Sequence, residues 1–208
     1  MSHYFVENPD VLTRERELEL EIFGEKLRFL TNNGLFSCDK IDEASLTLIK
    51  NLPPITGAFL DLGCGYGVIG IALAKKFPIA LTQSDINGVA LEYAQKNAKL
   101  NGVSSNVIHS DGFEKIFGAF DVITLNPPIH AGKETMFRLY EESAAHLRPG
   151  GSFFIVIQKK HGAESSVKKI NEIFQTCNVI YKKKGVFVIE CYNTVTSGTQ
   201  TNTTRSLG

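Results

Sequence analysis

In the stretch LELEIFGEKLRFL, apolar and charged residues take turns. Leu18, Leu20 and Ile22 fall on one side and glutamates on the other, the two-residue period of a half-buried strand. Phe23-Gly24-Glu25-Lys26 reads as a hairpin turn and Leu27 to Leu30 as the return strand. Further on, the period lengthens. In DEASLTLIKNL, beginning at Asp42, apolar residues recur at helical spacing behind an aspartate suited to a helix start, and Pro53-Pro54 ends the segment.

From Ala58 onward, apolar runs of strand length alternate with helical patterns. Strands are predicted at AFLDL (58–62), IALTQSD (79–85), NVIHSD (106–111), DVITL (121–125), SFFIVIQ (152–158), CNVIYKK (177–183) and VFVIECY (186–192). Helices are predicted from Gly67 to Lys76, from Asn87 to Leu100 with Asn101-Gly102 as the stop, from Lys133 to Leu147 ended by Pro149-Gly150-Gly151, and from Ala163 to Phe174. This alternation predicts an α/β fold: a Rossmann-like, seven-stranded, mostly parallel sheet with helices on both faces, preceded by a small N-terminal β-hairpin. Little more than Lys183-Lys184-Gly185 separates the final two strands. That is too short for a parallel crossover, so the last strand is antiparallel. Residues 1–193 are expected to form one domain, with 1–34 as a β extension and 35–193 as the catalytic core. The tail from 194 to 208 is rich in Ser, Thr, Asn and Gly and is expected to be disordered.

At 208 residues the chain has room for a real core, and 22 basic against 22 acidic residues exclude a wholly basic nucleic-acid coat. The charge is uneven, however. Residues 1–60 carry 6 basic and 10 acidic groups, whereas residues 151–208 carry 8 and 3. The basic excess includes Lys159, Lys160, His161, Lys168, Lys169 and Lys182 to Lys184, a candidate grip on phosphates or simply a solvated surface. Cys38, Cys64, Cys177 and Cys191 are scattered, with no pair at zinc-ligand spacing, so no metal site is expected. The polar start and the lack of a long apolar run predict a cytoplasmic protein with reduced thiols and no membrane span.

The stretch DLGCGYGVIG joins the first predicted strand of the alternating region to its helix. Gly65, Gly67 and Gly70 have the spacing of a dinucleotide fingerprint, and Asp85 follows 20 residues after Gly65. Taken alone, the loop serves a nicotinamide enzyme or another nucleoside-cofactor enzyme equally well. Asp61, two residues before Gly63, opposes a pyrophosphate and suits a cationic amino-acid group. The final antiparallel pair is foreign to a plain dinucleotide fold. The fourth strand, moreover, ends in Asn126-Pro127-Pro128, for which nicotinamide chemistry has no use.

With these features the chain resembles the class I S-adenosylmethionine-dependent methyltransferases over roughly residues 35–192. The resemblance implies that Asp61, Gly63, Cys64, Gly65 and Gly67 form the cofactor loop. It implies that Asp85 accepts from the ribose hydroxyls and that Ile86 lies against the adenine. Asp111 in SDGF accepts from the adenine amine, with Gly112 and Phe113 beside it.

The exocyclic amine of a base is a poor nucleophile because its lone pair is delocalised into the ring. Two acceptors aimed at its hydrogens favour pyramidalisation and turn the lone pair toward a methyl donor. Asn126 offers a side-chain oxygen and Pro127 a backbone carbonyl, with Pro127 and Pro128 fixing φ. A plain turn after a strand is the competing reading. NPPIHAGK resembles the N-P-P-F-H-x-G signature of ribosomal RNA guanine-N2 methyltransferases of the small subunit. Ile129 replaces the aromatic residue, so apolar contact stands in for stacking. His130 either touches the base or collects its proton, or else packs in the loop. Lys133 either touches a phosphate or is solvated. Upstream, GLFSCDKIDEAS resembles the same family's segment before the core, with Phe36, Ser37 and Asp42 at matching positions. Phe36 lies over the cofactor or target, or belongs to the core.

The resemblance thus implies S-adenosylmethionine as cofactor and guanine N2 of ribosomal RNA, free or in the small subunit, as substrate. The chain is similar to the single-domain members of that family. Adenine-N6 or protein-glutamine methylation, a nicotinamide-dependent oxidoreductase and a non-catalytic RNA-binding module are the rival readings.

Overall fold

Strands that are apolar on both faces must be covered on both, and this requirement organises the chain. The computed structural model describes residues 14–128, 132–159 and 163–192. The elements in order are β1 (Glu15–Ile22), β2 (Glu25–Asn32), α1 (Glu43–Asn51), β3 (Gly57–Leu62), α2 (Val68–Lys76), β4 (Ile79–Asp85), α3 (Gly88–Leu100), β5 (Ser105–His109), β6 (Phe120–Leu125), α4 (Gly132–Ala145), β7 (Leu147–Gln158), α5 (Ala163–Ile173), β8 (Thr176–Lys183) and β9 (Val186–Tyr192). A seven-stranded sheet runs β5-β4-β3-β6-β7-β9-β8. β9 is antiparallel to both its neighbours, and the other pairings are parallel. Phe59, Val122, Phe154 and Val188 face α1, α2, α3 and the β1–β2 hairpin. Leu60, Ile123, Phe153 and Ile189 face α4 and α5.

The expected architecture is therefore the observed one, with two local differences. The hairpin turn contains only Phe23 and Gly24, both at positive φ, the tight turn that matches strand twist. Leu147, expected to end a helix, instead opens β7 and pairs with Phe120. The Pro-Gly-Gly segment is absorbed as an irregularity within that strand. Gly151 makes it possible, because a Cβ there would lie 2.9 Å from the Asp121 carbonyl oxygen.

The hairpin is tied to the main sheet through α3. Asn97 accepts from the Leu30 N–H (2.7 Å) and donates to the carbonyls of Leu30 (2.9 Å) and Tyr66 (2.8 Å). One turn later, Asn101 pairs with the N–H and carbonyl of Arg28. Two side-chain amides thus substitute for a neighbouring strand along β2. The parallel strands all end at one edge of the sheet. Strand order reverses between β3 and β6, which opens a crevice there.

Candidate functional site

A cavity of about 470 Å³ occupies that crevice. Its walls come from the segment before α1, the loop after β3, the ends of β4, β6 and β7, the residues after β5, and the start of α4. Of the residues singled out in the sequence, Phe36, Ser37, Asp42, Gly63, Cys64, Gly65, Asp85, Ile86, Asp111, Gly112, Asn126, Pro127 and Pro128 line it together. Asp61, Gly67, Phe113 and Lys133 are not among the lining residues. Ile129 and His130 lie outside the described residues, as do Lys160, His161 and the tail from 194.

The loop after β3 is shaped from beneath. Gly67 caps α2 at φ +95, and a Cβ there would fall 2.8 Å from Gln83 Nε2 and 2.9 Å from Ile71 Cδ1, so only glycine fits. Asp61 is 1% exposed, and its Oδ2 accepts from the Gly70 N–H at 2.9 Å. Its Oδ1 accepts from Thr124 Oγ1 at 3.2 Å. Gln83, Asp61 and Thr124 stand in register on adjacent strands, a buried polar row under α2. Burial pushes the Asp61 carboxyl up to about 7, against the pull of the Gly70 and Thr124 hydrogen bonds. The carboxylate expected to face a bound cation is thus committed to holding the loop on the sheet. Burial likewise pushes the Cys64 thiol well above its ordinary range, leaving it unsuited to nucleophilic attack.

Asp85 ends β4 at the cavity wall. Its Oδ2 accepts from the Gly65 N–H (2.8 Å) and its Oδ1 from the Asn87 N–H (2.9 Å). Burial raises its carboxyl above the ordinary carboxylate range, and these N–H groups pull it back. Ile86 next to it is 42% exposed, an apolar face on the cavity. Asp111 forms an ion pair with Arg138, which also lines the cavity and reaches Glu142. Phe113 is buried instead, stacked on the His146 ring with centroids 4.3 Å apart. Phe36 is 54% exposed at the rim. Tyr66 holds the adjoining segment by donating to the Ser37 carbonyl at 3.2 Å.

Asn126 begins the exit from β6. Its Nδ2 donates to Asp42 Oδ2 and to Ser45 Oγ, both at 2.9 Å. Among the described residues no donor reaches its Oδ1, which is left to the cavity. Arg138, Ser45 and Asn97 went unnoticed in the sequence. Arg138 has no local signal. An asparagine inside a helix pattern, by contrast, is a weak helix former whose presence asks for a partner, and Asn97 has three.

Among the described residues no group of three His, Cys, Asp or Glu is placed to hold a metal ion. No helix there is long and apolar enough to cross a membrane.

Residues 26–190 match the family model described as the methyltransferase small domain. YbxB of Bacillus subtilis is 37% identical over 194 residues, covering 90% of this chain and 96% of its own. Ribosomal RNA small subunit methyltransferase C of Aeromonas hydrophila is 40% identical over 136 residues, covering 63% of this chain and 40% of its own. Among solved structures, a 16S rRNA N2 methyltransferase of T. thermophilus (RsmC), in complex with AdoMet and guanosine, superposes with a TM-score of 0.77 at 28% identity. The match covers 86% of this chain and 50% of that one. The chain thus spans nearly all of the Bacillus relative and half or less of the other two.

Proposed function

Because the chain belongs to the methyltransferase small domain family, we propose that it transfers a methyl group from S-adenosylmethionine to the exocyclic N2 amine of a guanine in ribosomal RNA. The observation that carries this reading is Asn126. Its amide nitrogen is spent on Asp42 and Ser45, which leaves the oxygen as the end free to accept in the cavity that Asn126 lines with the glycine loop and Asp85. An acceptor in that place suits an amine. The T. thermophilus relative was solved with AdoMet and guanosine, the same pair of chemistries.

The residues fit such a cofactor. A Cβ built on Gly65 meets nothing within 4 Å, so the loop leaves room for a ligand against its backbone. Asp85 keeps lone pairs beyond those used by Gly65 and Asn87, enough to accept from a ribose diol. Ile86 supplies an apolar face for the adenine, and Asp111, steadied by Arg138, an acceptor for its amine. When bound, S-adenosylmethionine supplies a methyl on a sulfonium, and the C–S electron pair leaves with sulfur as the N–C bond forms. Asn126 Oδ1 and the Pro127 carbonyl accept from the two amine hydrogens and aim the nitrogen lone pair. The prolines fix that carbonyl before the base arrives. The proton shed from nitrogen passes to water or to His130. Lys159, Lys183 and Lys184, at the same edge of the sheet, offer contacts to RNA phosphates.

The test is incubation with methyl-labelled S-adenosylmethionine and either free ribosomal RNA or assembled small subunits, followed by mapping of the modified nucleotide. Label at guanine N2 supports the reading. Label on adenine N6 or on a protein glutamine replaces it, and stoichiometric binding of a nicotinamide cofactor instead of S-adenosylmethionine rejects the reaction class.

A further inference from the structure

An asparagine side chain has an accepting end and a donating end of nearly the same shape, so a site that needs one end must fix the flip. Asp42 does this from the start of α1. Its Oδ2 caps the helix by accepting from the Ser45 N–H at 2.8 Å. The same oxygen accepts from Ser45 Oγ at 3.1 Å and from Asn126 Nδ2 at 2.9 Å. A carboxylate offers lone pairs and no proton, so only the nitrogen of Asn126 can face it. Ser45 alone cannot discriminate, because a hydroxyl serves either end of an amide. Here its proton is drawn to Asp42, and it too presents lone pairs to Asn126. The triangle leaves one orientation, with Oδ1 toward the cavity.

We propose that Asp42 is a positioning residue that locks the hydrogen-bonding polarity of Asn126, so that the site presents an acceptor to an amine and rejects a carbonyl in its place. The proposal rests on the acceptor role read for Asn126. It goes beyond that role by assigning the lock to a residue 84 positions away in sequence, on an element outside the glycine-loop and NPP motifs.

Three variants separate the possibilities. Asp42→Ser keeps a side chain able to cap α1, but its hydroxyl can donate as well as accept, so the lock is lost. Asp42→Asn keeps an oxygen in the place of Oδ2, held there because the Ser45 N–H that it caps can only donate, and it still presents an acceptor to Asn126 Nδ2. Asn126→Ala tests the underlying reading. The measurements are kcat with methyl-labelled S-adenosylmethionine and a 16S rRNA transcript, the cofactor Kd by calorimetry, and the urea midpoint. In the ligand-free protein, solvent protection of the Asn126 side-chain NH2 is followed by ¹⁵N NMR.

The expected result for Asp42→Ser is a loss of NH2 protection and a fall in kcat of about 10-fold, smaller than the loss of a whole preorganised polar group. The cofactor Kd and urea midpoint should stay close to wild type. Asp42→Asn should restore both protection and turnover. Wild-type NH2 protection in Asp42→Ser overturns the proposal, as does an Asp42→Asn variant as impaired as Asp42→Ser. A loss of turnover that merely tracks the urea midpoint also overturns it. Full turnover in Asn126→Ala strikes instead at the acceptor reading, and the NMR arm still reports on the lock.

Discussion

Asp61, Asp85 and Asn126 lie at or within one residue of strand ends along one edge of the sheet, yet their surroundings give them different work. The Asp61 carboxyl is buried and holds its proton up to about pH 7, against an ordinary value of 3.8. Between those values the folded state binds more protons than the unfolded one, so stability falls as pH rises through that window and is flat above it. A shift of that size corresponds to roughly 4 kcal/mol. Asp61→Asn removes the titration and can still accept from Gly70 and donate to Thr124. Its stability by urea denaturation should therefore gain on wild type steadily from pH 4 to 7, and a constant difference across that range contradicts the buried-acid account. At the other two positions the binding and chemical steps should separate. Asp85→Ala should raise the S-adenosylmethionine Kd by roughly 10-fold or more, through lost charge-assisted hydrogen bonds. Asn126→Ala should leave that Kd near wild type and lower kcat by on the order of 10²-fold. Calorimetry alongside single-turnover rates distinguishes the pair, and matched losses in both quantities for either variant would argue against the division.

The hairpin, α3 and the glycine loop form one mechanical unit through Asn97. That side chain is fully buried, and removing it orphans the Leu30 N–H and the carbonyls of Leu30 and Tyr66. Asn97→Ala should cost about 3 kcal/mol and should also weaken cofactor binding, since Tyr66 belongs to the loop. Asn101→Ala removes bonds at exposed Arg28 and should cost under about 1 kcal/mol. Similar urea midpoints for the two variants would show that burial does not set the difference. Period and punctuation made the elements legible in the sequence. Alternation marked β1 and β2, Asp42 and Asn87 marked helix starts, and the short link at 183–185 marked the antiparallel turn. The error at Leu147 arose because proline and glycines read as a helix stop, while the pairing of Leu147 with Phe120 and the close approach of Gly151 to Asp121 are long-range facts. Motif residues at strand ends were legible for the same reason as the strands. Partners supplied from distant elements were not: Arg138 reaches Asp111 across 27 residues and Asp42 reaches Asn126 across 84.

For the molecule as a whole, the neutral net charge conceals a directed asymmetry. Because β9 runs against its neighbours, the turn between β8 and β9 returns to the edge where the parallel strands end. Lys159 donates its backbone N–H to the Gly185 carbonyl at 2.7 Å, bringing Lys159, Lys183 and Lys184 together just beyond Gln158, which lines the cavity. Other lysines of the basic region are otherwise engaged. Lys169 pairs with Glu141, and Lys182 lies over the Phe187 ring at 5.2 Å. Lys159, Lys183 and Lys184 have no acidic partner among the described residues. Three exposed cations beside the cavity mouth suit the phosphates flanking a nucleotide delivered into it, and each phosphate contact to a single strand contributes about 0.7 to the salt slope of binding. Replacing all three with alanine should therefore flatten the plot of log K against log salt by roughly 2 for a ribosomal RNA fragment. Turnover at saturating RNA and the cofactor Kd should stay near wild type, because none of the three lines the cavity. A slope unchanged within error, measured by filter binding from low to physiological salt, would move the RNA path to another face of the protein.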